Sequence, residues 1–167
     1  NREAAYPHQG FEDYISMEDM EQDDLIGIGV SDKSMFRQLV PLLKDEQDPF
    51  FSFVITLTNH HPFIHNEEYK TLELSEEDMD TKFGDYLQTI RYTDEAIGQF
   101  IADLKEANLY DNTVIALYGD HHGLNCGMEE VKESVSDFIG RDYDYDEMLN
   151  VPMLIHIPNS NINETIH

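Results

Sequence analysis

Thr113-Val114-Ile115-Ala116-Leu117 runs straight into Tyr118-Gly119-Asp120-His121-His122-Gly123, and the fold is decided on this stretch. Its first five residues have the length and β-branched content of a buried strand. The next six place a carboxylate and an imidazole at the carboxyl end of that strand, where open α/β sheets bind ligands. An oxygen donor beside a nitrogen donor suits a divalent cation such as Mn²⁺ or Zn²⁺. Adjacent residues of an extended strand point to opposite faces. Asp120 and His121 therefore reach one ion only if the backbone turns, and Gly119 and Gly123 are expected to permit that turn. A polar turn with Asp120 capping a helix would account for the same residues. Two ligands are also fewer than the three or more of a catalytic site, so others are expected from elsewhere.

Upstream, residues 50–58 (Phe-Phe-Ser-Phe-Val-Ile-Thr-Leu-Thr) read as a second strand, apolar enough to be covered on both faces. It ends in Asn59-His60-His61-Pro62-Phe63, a polar loop in which proline stops the ladder. His60 thus follows a strand end just as Asp120 does. An imidazole there can hydrogen-bond a phosphate oxygen or protonate a leaving alkoxide; an ordinary surface histidine is the plainer alternative. Arg2 is suited to clamping a phosphate, although a lone arginine is normally just solvated. Between the strands, Phe83, Leu87, Ile90, Ile97, Ile101 and Leu104 predict a helix over 82–108, with a seven-residue gap in its apolar face. Strand, helix, strand is a βαβ unit, and its two strands are expected to be parallel.

The remaining elements are weaker. Residues 1–33 read as loop with a short helical turn. Ser31 or Asp32 is placed to cap a helix starting near Ser34 with Phe36, Leu39, Val40, Leu42 and Leu43 on its apolar face. Pro41 should kink that helix or mark its first turn. Residues 64–80 read as surface loop, 129–139 as a short acidic helix, 141–147 as a charged loop and 151–158 as a strand bounded by prolines. One α/β layer structure accounts for the whole chain.

Composition narrows the partners. The 167 residues carry 35 acids against 10 bases, a net charge of −25 with histidine neutral. That charge argues against nucleic acid and against docking of this segment on anionic lipid. Cys126 is the only cysteine, so there is no internal disulfide. No apolar run approaches the roughly 18 residues of a membrane span. The chain opens on Asn1-Arg2 without a methionine, and a piece of a longer protein is expected. Asp142-x-Asp144-x-Asp146-Glu147 looks like the opening of a calcium loop but lacks its glycine and spaced glutamate. Asn163-Glu164-Thr165 fits the glycosylation pattern, which is common by chance. His65, His122 and His156 have no partner visible in sequence. No nucleophile elbow and no glycine-rich phosphate loop is present, so the metal hypothesis needs a nucleophile from outside the chain.

Residues 53–63 resemble a segment of the lipoteichoic acid synthase family. So do Tyr92-Thr93-Asp94-Glu95-Ala96-Ile97-Gly98-Gln99-Phe100, residues 109–113, residues 118–123 and residues 151–158, in order and spacing. The likeness runs from Asn1 to about Pro158. The Asp-His pair alone would indicate only the broader sulfatase and alkaline-phosphatase superfamily. The resemblance implies part of a mostly parallel sheet with helices on its faces. Residues 1–167 would be a single partial domain, the carboxy-terminal half of an extracellular catalytic domain tethered to a bacterial membrane by upstream helices. It implies transfer of glycerol phosphate from phosphatidylglycerol to a polyglycerolphosphate chain, through a threonine that lies outside this sequence. It also implies one Mn²⁺, with Asp120 and His121 matching two of its ligands and the rest lying outside. His60 matches the histidine on the substrate phosphate, and Arg2 matches the arginine that grips the glycerol phosphate. Such a chain, holding half a site, should not turn over alone. Related readings are a primase, a head-group transferase or a phosphodiesterase of the same fold. An inactive binding or structural fragment is a reading from another class.

Overall fold

Lys82–Glu106 forms the long helix that the apolar spacing predicts, and the rest of the chain is arranged around it. The computed structural model describes residues 2–63 and 66–166, with Arg2 described in its backbone alone. In chain order the elements are helix α1 (Arg2–Ala5), strands β1 (Leu25–Ile26) and β2 (Gly29–Val30), helices α2 (Asp32–Asp45) and α3 (Lys82–Glu106), strand β3 (Ile115–Tyr118), helices α4 (Glu129–Ile139) and α5 (Tyr145–Leu149), and strand β4 (Met153–His156).

The ends of α3 are set by its own sequence. Thr81 caps it, its hydroxyl accepting from the Gly84 amide at 3.0 Å. At the far end Asn108 takes the left-handed conformation (φ 61°), and the Leu109 amide returns to the Leu104 carbonyl at 2.9 Å. The face that α3 buries differs from the expected one. Gln88, Thr89, Tyr92, Thr93 and Ala96 are buried, while Ile90 is exposed. Four of those five side chains carry an amide or a hydroxyl, and a hydrophobic count misses Gln88, Thr89 and Thr93.

Two apolar clusters share α3. Its second half packs against α2: Phe36, Leu39 and Ala96 are buried together, and the Phe36 and Phe100 rings stack with centroids 4.5 Å apart. Its first half packs against α4 and α5 through Phe63, Phe83, Leu124, Val131, Val135, Tyr143 and Met148. Full burial of a valine or leucine contributes about 1.5–3 kcal/mol, so these clusters hold the helices in place. Helix α2 starts at Asp32, two residues ahead of the expected position, because Ser31 is its cap and accepts from the Ser34 amide at 3.2 Å. Pro41 lies inside α2, which continues past it to Asp45.

The charged loop expected over 141–147 is partly helical. Asp144 accepts from the amides of Asp146 and Glu147, both at 3.0 Å, and so caps α5. Its neighbours pair with cations, Asp142 with Lys132 at 3.1 Å and Glu147 with Arg141 at 2.9 Å. Capping and surface pairing account for the acidic run.

The strands depart furthest from expectation. Residues 50–58 join no ladder among the described residues, so the parallel pairing of the βαβ unit does not form. Strand β3 instead pairs antiparallel with β4, Ile115 opposite His156 and Tyr118 opposite Met153. Strands β1 and β2 form a separate antiparallel hairpin. A parallel strand is stable when it has neighbours and cover on both faces. Phe51, Phe53, Leu117 and Leu154 are all exposed here, so that cover is missing among the described residues. The chain is α/β in class.

Candidate active site

Two loops carry the candidate residues, and each is built the same way. In the first, the His60 amide donates to the Leu57 carbonyl and the Phe63 amide to the His60 carbonyl, both at 3.1 Å, giving two successive turns. The His60 ring nitrogen Nδ1 lies 2.8 Å from the His61 carbonyl oxygen. In the second, Nδ1 of His121 lies 2.8 Å from the carbonyl oxygen of His122. A carbonyl only accepts, so each contact assigns the proton to Nδ1. The neutral ring then has its lone pair on Nε2, the atom that ligates metal or meets substrate.

These Nε2 atoms belong to rings that face each other. The His60 and His121 centroids are 5.8 Å apart, edge to face, and both residues are exposed. Nε2 of His121 lies 3.6 Å from Oδ1 of Asp120. Both atoms can therefore sit about 2.0–2.2 Å from a single cation. The pair fits a divalent ion of the Mn²⁺ or Zn²⁺ kind by donor chemistry and spacing. No group of three histidine, cysteine, aspartate or glutamate side chains able to hold a metal occurs among the described residues. Asp120 and His121 thus provide two legs of a metal site.

The glycines act differently from expectation. Neither Gly119 nor Gly123 has a left-handed backbone; the positive-φ glycines are Gly10, Gly27 and Gly140. At both positions something passes close. A Cβ on Gly119 would lie 3.0 Å from Cβ of Val151, next to the point where the Gly119 amide donates to the Pro152 carbonyl at 3.0 Å. A Cβ on Gly123 would lie 2.6 Å from the Tyr86 ring. That ring also meets Phe63 at 5.2 Å. Tyr86, from the first turns of α3, is therefore wedged between the loop after His60 and the loop after His121. Burial pushes its hydroxyl pKa up. Nothing in the sequence links Tyr86 to Gly123 or Phe63, although the absence of a side chain at 123 is the trace such a contact leaves.

His60, Asp120 and His121 are thus brought together, as the two strand-end loops predict. The Arg2 side chain lies outside the described residues, as does His65. His61 is turned toward Phe63 with centroids 5.6 Å apart, and His156 stacks on Tyr110 at 4.6 Å. His122 is 6.1 Å from His121, ring to ring. The cluster presents a carboxylate and two imidazoles to solvent at one rim. It can hold a cation on one side and, once His60 also carries a proton on Nε2, donate a hydrogen bond to an anionic oxygen on the other.

The chain has an α/β frame in which Asp120 and His121 closely follow β3. In fold, 90% of the chain matches a protein in the alkaline phosphatase superfamily from Vibrio parahaemolyticus with a TM-score of 0.63 at 23% identity, covering 33% of that chain. The likeness to the crystal structure of the lipoteichoic acid synthase LtaP from Listeria monocytogenes is stronger, with a TM-score of 0.86 at 25% identity over 97% of this chain and 41% of that one. The family model described as Sulfatase matches residues 1–167, and the chain belongs to the sulfatase family. Its relatives include Lipoteichoic acid synthase 1 of Bacillus subtilis (strain 168), 37% identical over 163 residues, or 95% of this chain and 25% of that protein. Lipoteichoic acid synthase of Staphylococcus aureus (strain USA300) is 40% identical over 127 residues, 75% of this chain and 20% of that protein. The chain thus spans a quarter or less of the length of these two relatives. Among the described residues no helix is long and apolar enough to cross a membrane.

Proposed function

We propose that this chain is the carboxy-terminal part of the catalytic domain of a metal-dependent phosphoglycerol transferase. The reaction moves glycerol phosphate from phosphatidylglycerol to a growing lipoteichoic acid chain, at the outer face of a bacterial membrane. The observation that carries the reading is the approach of His60 to His121, 5.8 Å between centroids, with Asp120 alongside and both rings fixed through Nδ1. The names of the relatives supply the product, lipoteichoic acid, and the family resemblance of residues 53–63, 92–100 and 118–123 supplies the phosphatidylglycerol donor.

In this reading Asp120 and His121 hold one Mn²⁺ together with ligands outside the chain. The ion when bound supplies Lewis-acid stabilisation of phosphoryl charge and lowers the pKa of an attacking hydroxyl. That hydroxyl is a threonine outside the chain, and a glycerophosphoryl-threonine ester forms as diacylglycerol leaves. His60, when protonated, donates from Nε2 to a phosphoryl oxygen or to the leaving alkoxide. Arg2 grips the glycerol phosphate. The complete domain supplies the mostly parallel sheet that residues 50–58 and β3 would enter.

The test is full-length protein in detergent with fluorescent phosphatidylglycerol. Diacylglycerol release with polymer growth supports the transferase. Release without polymer moves the reading to a primase or phosphodiesterase. His60→Ala should lower the rate by about 10²–10³. A His60→Ala enzyme that matches the parent would remove His60 from the mechanism.

The two-legged metal site favours a further point. The chain alone is inactive and binds Mn²⁺ weakly, since two donors fall short of the usual three or more. Calorimetric titration of Mn²⁺ should show weak heat that disappears in Asp120→Ala. Tight, stoichiometric binding would mean the ligand set is complete within the chain.

A further inference from the structure

Asp32 is fully buried, and no role assigned above uses it. It stands in the first turn of α2, where aligned peptide dipoles favour a negative group. Its Oδ1 accepts from the amides of Leu57 at 3.0 Å and Thr58 at 3.2 Å. Its Oδ2 accepts from the Thr93 hydroxyl of α3 at 2.8 Å. In return, the Asp32 amide donates to the Thr58 hydroxyl at 2.8 Å. Thr58 and Thr93 are themselves buried. One carboxylate therefore ties α2, α3 and the last two residues before the His60 turn. That turn is closed by the bond from the His60 amide to the Leu57 carbonyl.

A buried carboxylate is costly unless its donors are in place. Replacing a buried polar group together with all its partners by apolar groups can be nearly neutral, whereas removing one partner leaves the others unsatisfied. Holding α2 on α3 does not by itself call for a carboxylate, because Phe36, Leu39, Ala96 and Phe100 already do so. The bonds that only an acceptor at position 32 can make are those to residues 57 and 58, which belong to no ladder and have no other described fixture for their amides.

We propose that Asp32 is a positioning residue that fixes the His60 imidazole against His121 by anchoring Leu57 and Thr58. This rests on the role of His60 given under the proposed function. Asp32→Ala removes the acceptor, whereas Asp32→Asn keeps Oδ1 for the two amides and can donate to the Thr93 hydroxyl. Thr58→Val and Thr58→Ser form a second pair, without and with the hydroxyl.

The measurement is the nuclear Overhauser contact between the His60 and His121 rings in the full chain, with the Val131 and Val135 methyls as a distant control. Expected is loss of the ring contact in Asp32→Ala and Thr58→Val, its return in Asp32→Asn and Thr58→Ser, and unmoved control methyls. If Asp32→Ala does not fold, the Thr58 pair decides. A ring contact that survives Thr58→Val, or that Asp32→Asn fails to restore, overturns the proposal. In the full-length enzyme, Asp32→Ala should lower kcat/KM by up to about 100-fold, the scale of a 1 Å misplacement. If His60→Ala transfers normally while the ring contact behaves as expected, the role of His60 fails and the anchoring by Asp32 stands.

Discussion

The helices around α3 and the strands beside them carry similar apolar side chains and treat them in opposite ways. Phe36, Phe83, Val131 and Leu104 are buried against neighbours, whereas Phe51 is 76% exposed, Met153 65% and Leu154 58%. On β3 and β4 the exposure falls on residues of both parities, so neither face of the ribbon is covered. The difference shows where the candidate site takes its footing. Tyr86, Phe63 and Asp32, all on or against the helices, fix both loops, and the bond from the Gly119 amide to the Pro152 carbonyl adds a tie from the second loop to the ribbon.

The largest effect should come from testing that contrast. Phe36→Ala opens a cavity in the α2–α3 contact and should cost about 3–5 kcal/mol. Leu154→Ser, on the ribbon, should stay within about 0.5 kcal/mol in this chain. Urea unfolding with unchanged m-value reads both as shifts in midpoint. Equal losses would mean that the ribbon is as well packed as the helices.

A smaller effect is expected at the wedge. Gly123→Ala places a methyl 2.6 Å from the Tyr86 ring, so ring or loop must move. Overpacking of this kind costs about 1–3 kcal/mol. Tyr86→Leu removes the obstructing ring edge. The double variant should then lose less than the sum of the two single ones, the sign expected of residues in contact. Simple additivity would separate Gly123 from Tyr86 and remove the wedge between the loops. Smaller again is Asp144→Ala, which uncaps α5 and should cost about 1 kcal/mol by the same midpoint shift. No loss would return that acidic run to the category of solvated loop.

What was legible in the sequence follows the same division. Helix α3 could be read because its apolar steps, its Asn108 stop and its turn into β3 are all local. The meeting of Asp120, His121 and His60 at one rim could be read because each follows an apolar run. The polar part of the α3 face could not, since Gln88 is buried by bonding the backbone of Leu72 and Thr93 by bonding Asp32, contacts between distant positions. Helix α5 was hidden because Asp144 looks the same in sequence whether it caps a helix or faces water. The antiparallel pairing of β3 with β4 was missed because an apolar run gives the length of a strand and not the direction of its neighbour. Gly123 was noticed for the wrong property: its value is the missing side chain, and the ring that needs the space lies 37 residues earlier on the chain.

The smallest expected effect lies at the surface of the α2–α3 contact, whose interior Phe36 probes. Lys33 donates to Glu95 at 2.9 Å, and its bond holds the Glu95 carboxyl below the usual value of 4.5, with the Arg91 charge adding to it. Both side chains are partly exposed, and such pairs contribute about 0–1 kcal/mol. A carboxyl with a lowered pKa in the folded chain stabilises it above 4.5, and that contribution is lost as pH falls through the lowered value. Lys33→Ala should therefore reduce stability slightly at neutral pH and flatten its fall below 4.5, as read by thermal melts across that range. Lys33 also lies over the Tyr92 ring at 4.5 Å, a contact that does not depend on the Glu95 charge. A loss that is the same at every pH would assign the effect of Lys33 to that ring rather than to the ion pair. The Lys33 ammonium would then hold α2 to α3 through the face of the Tyr92 ring rather than through the Glu95 carboxylate.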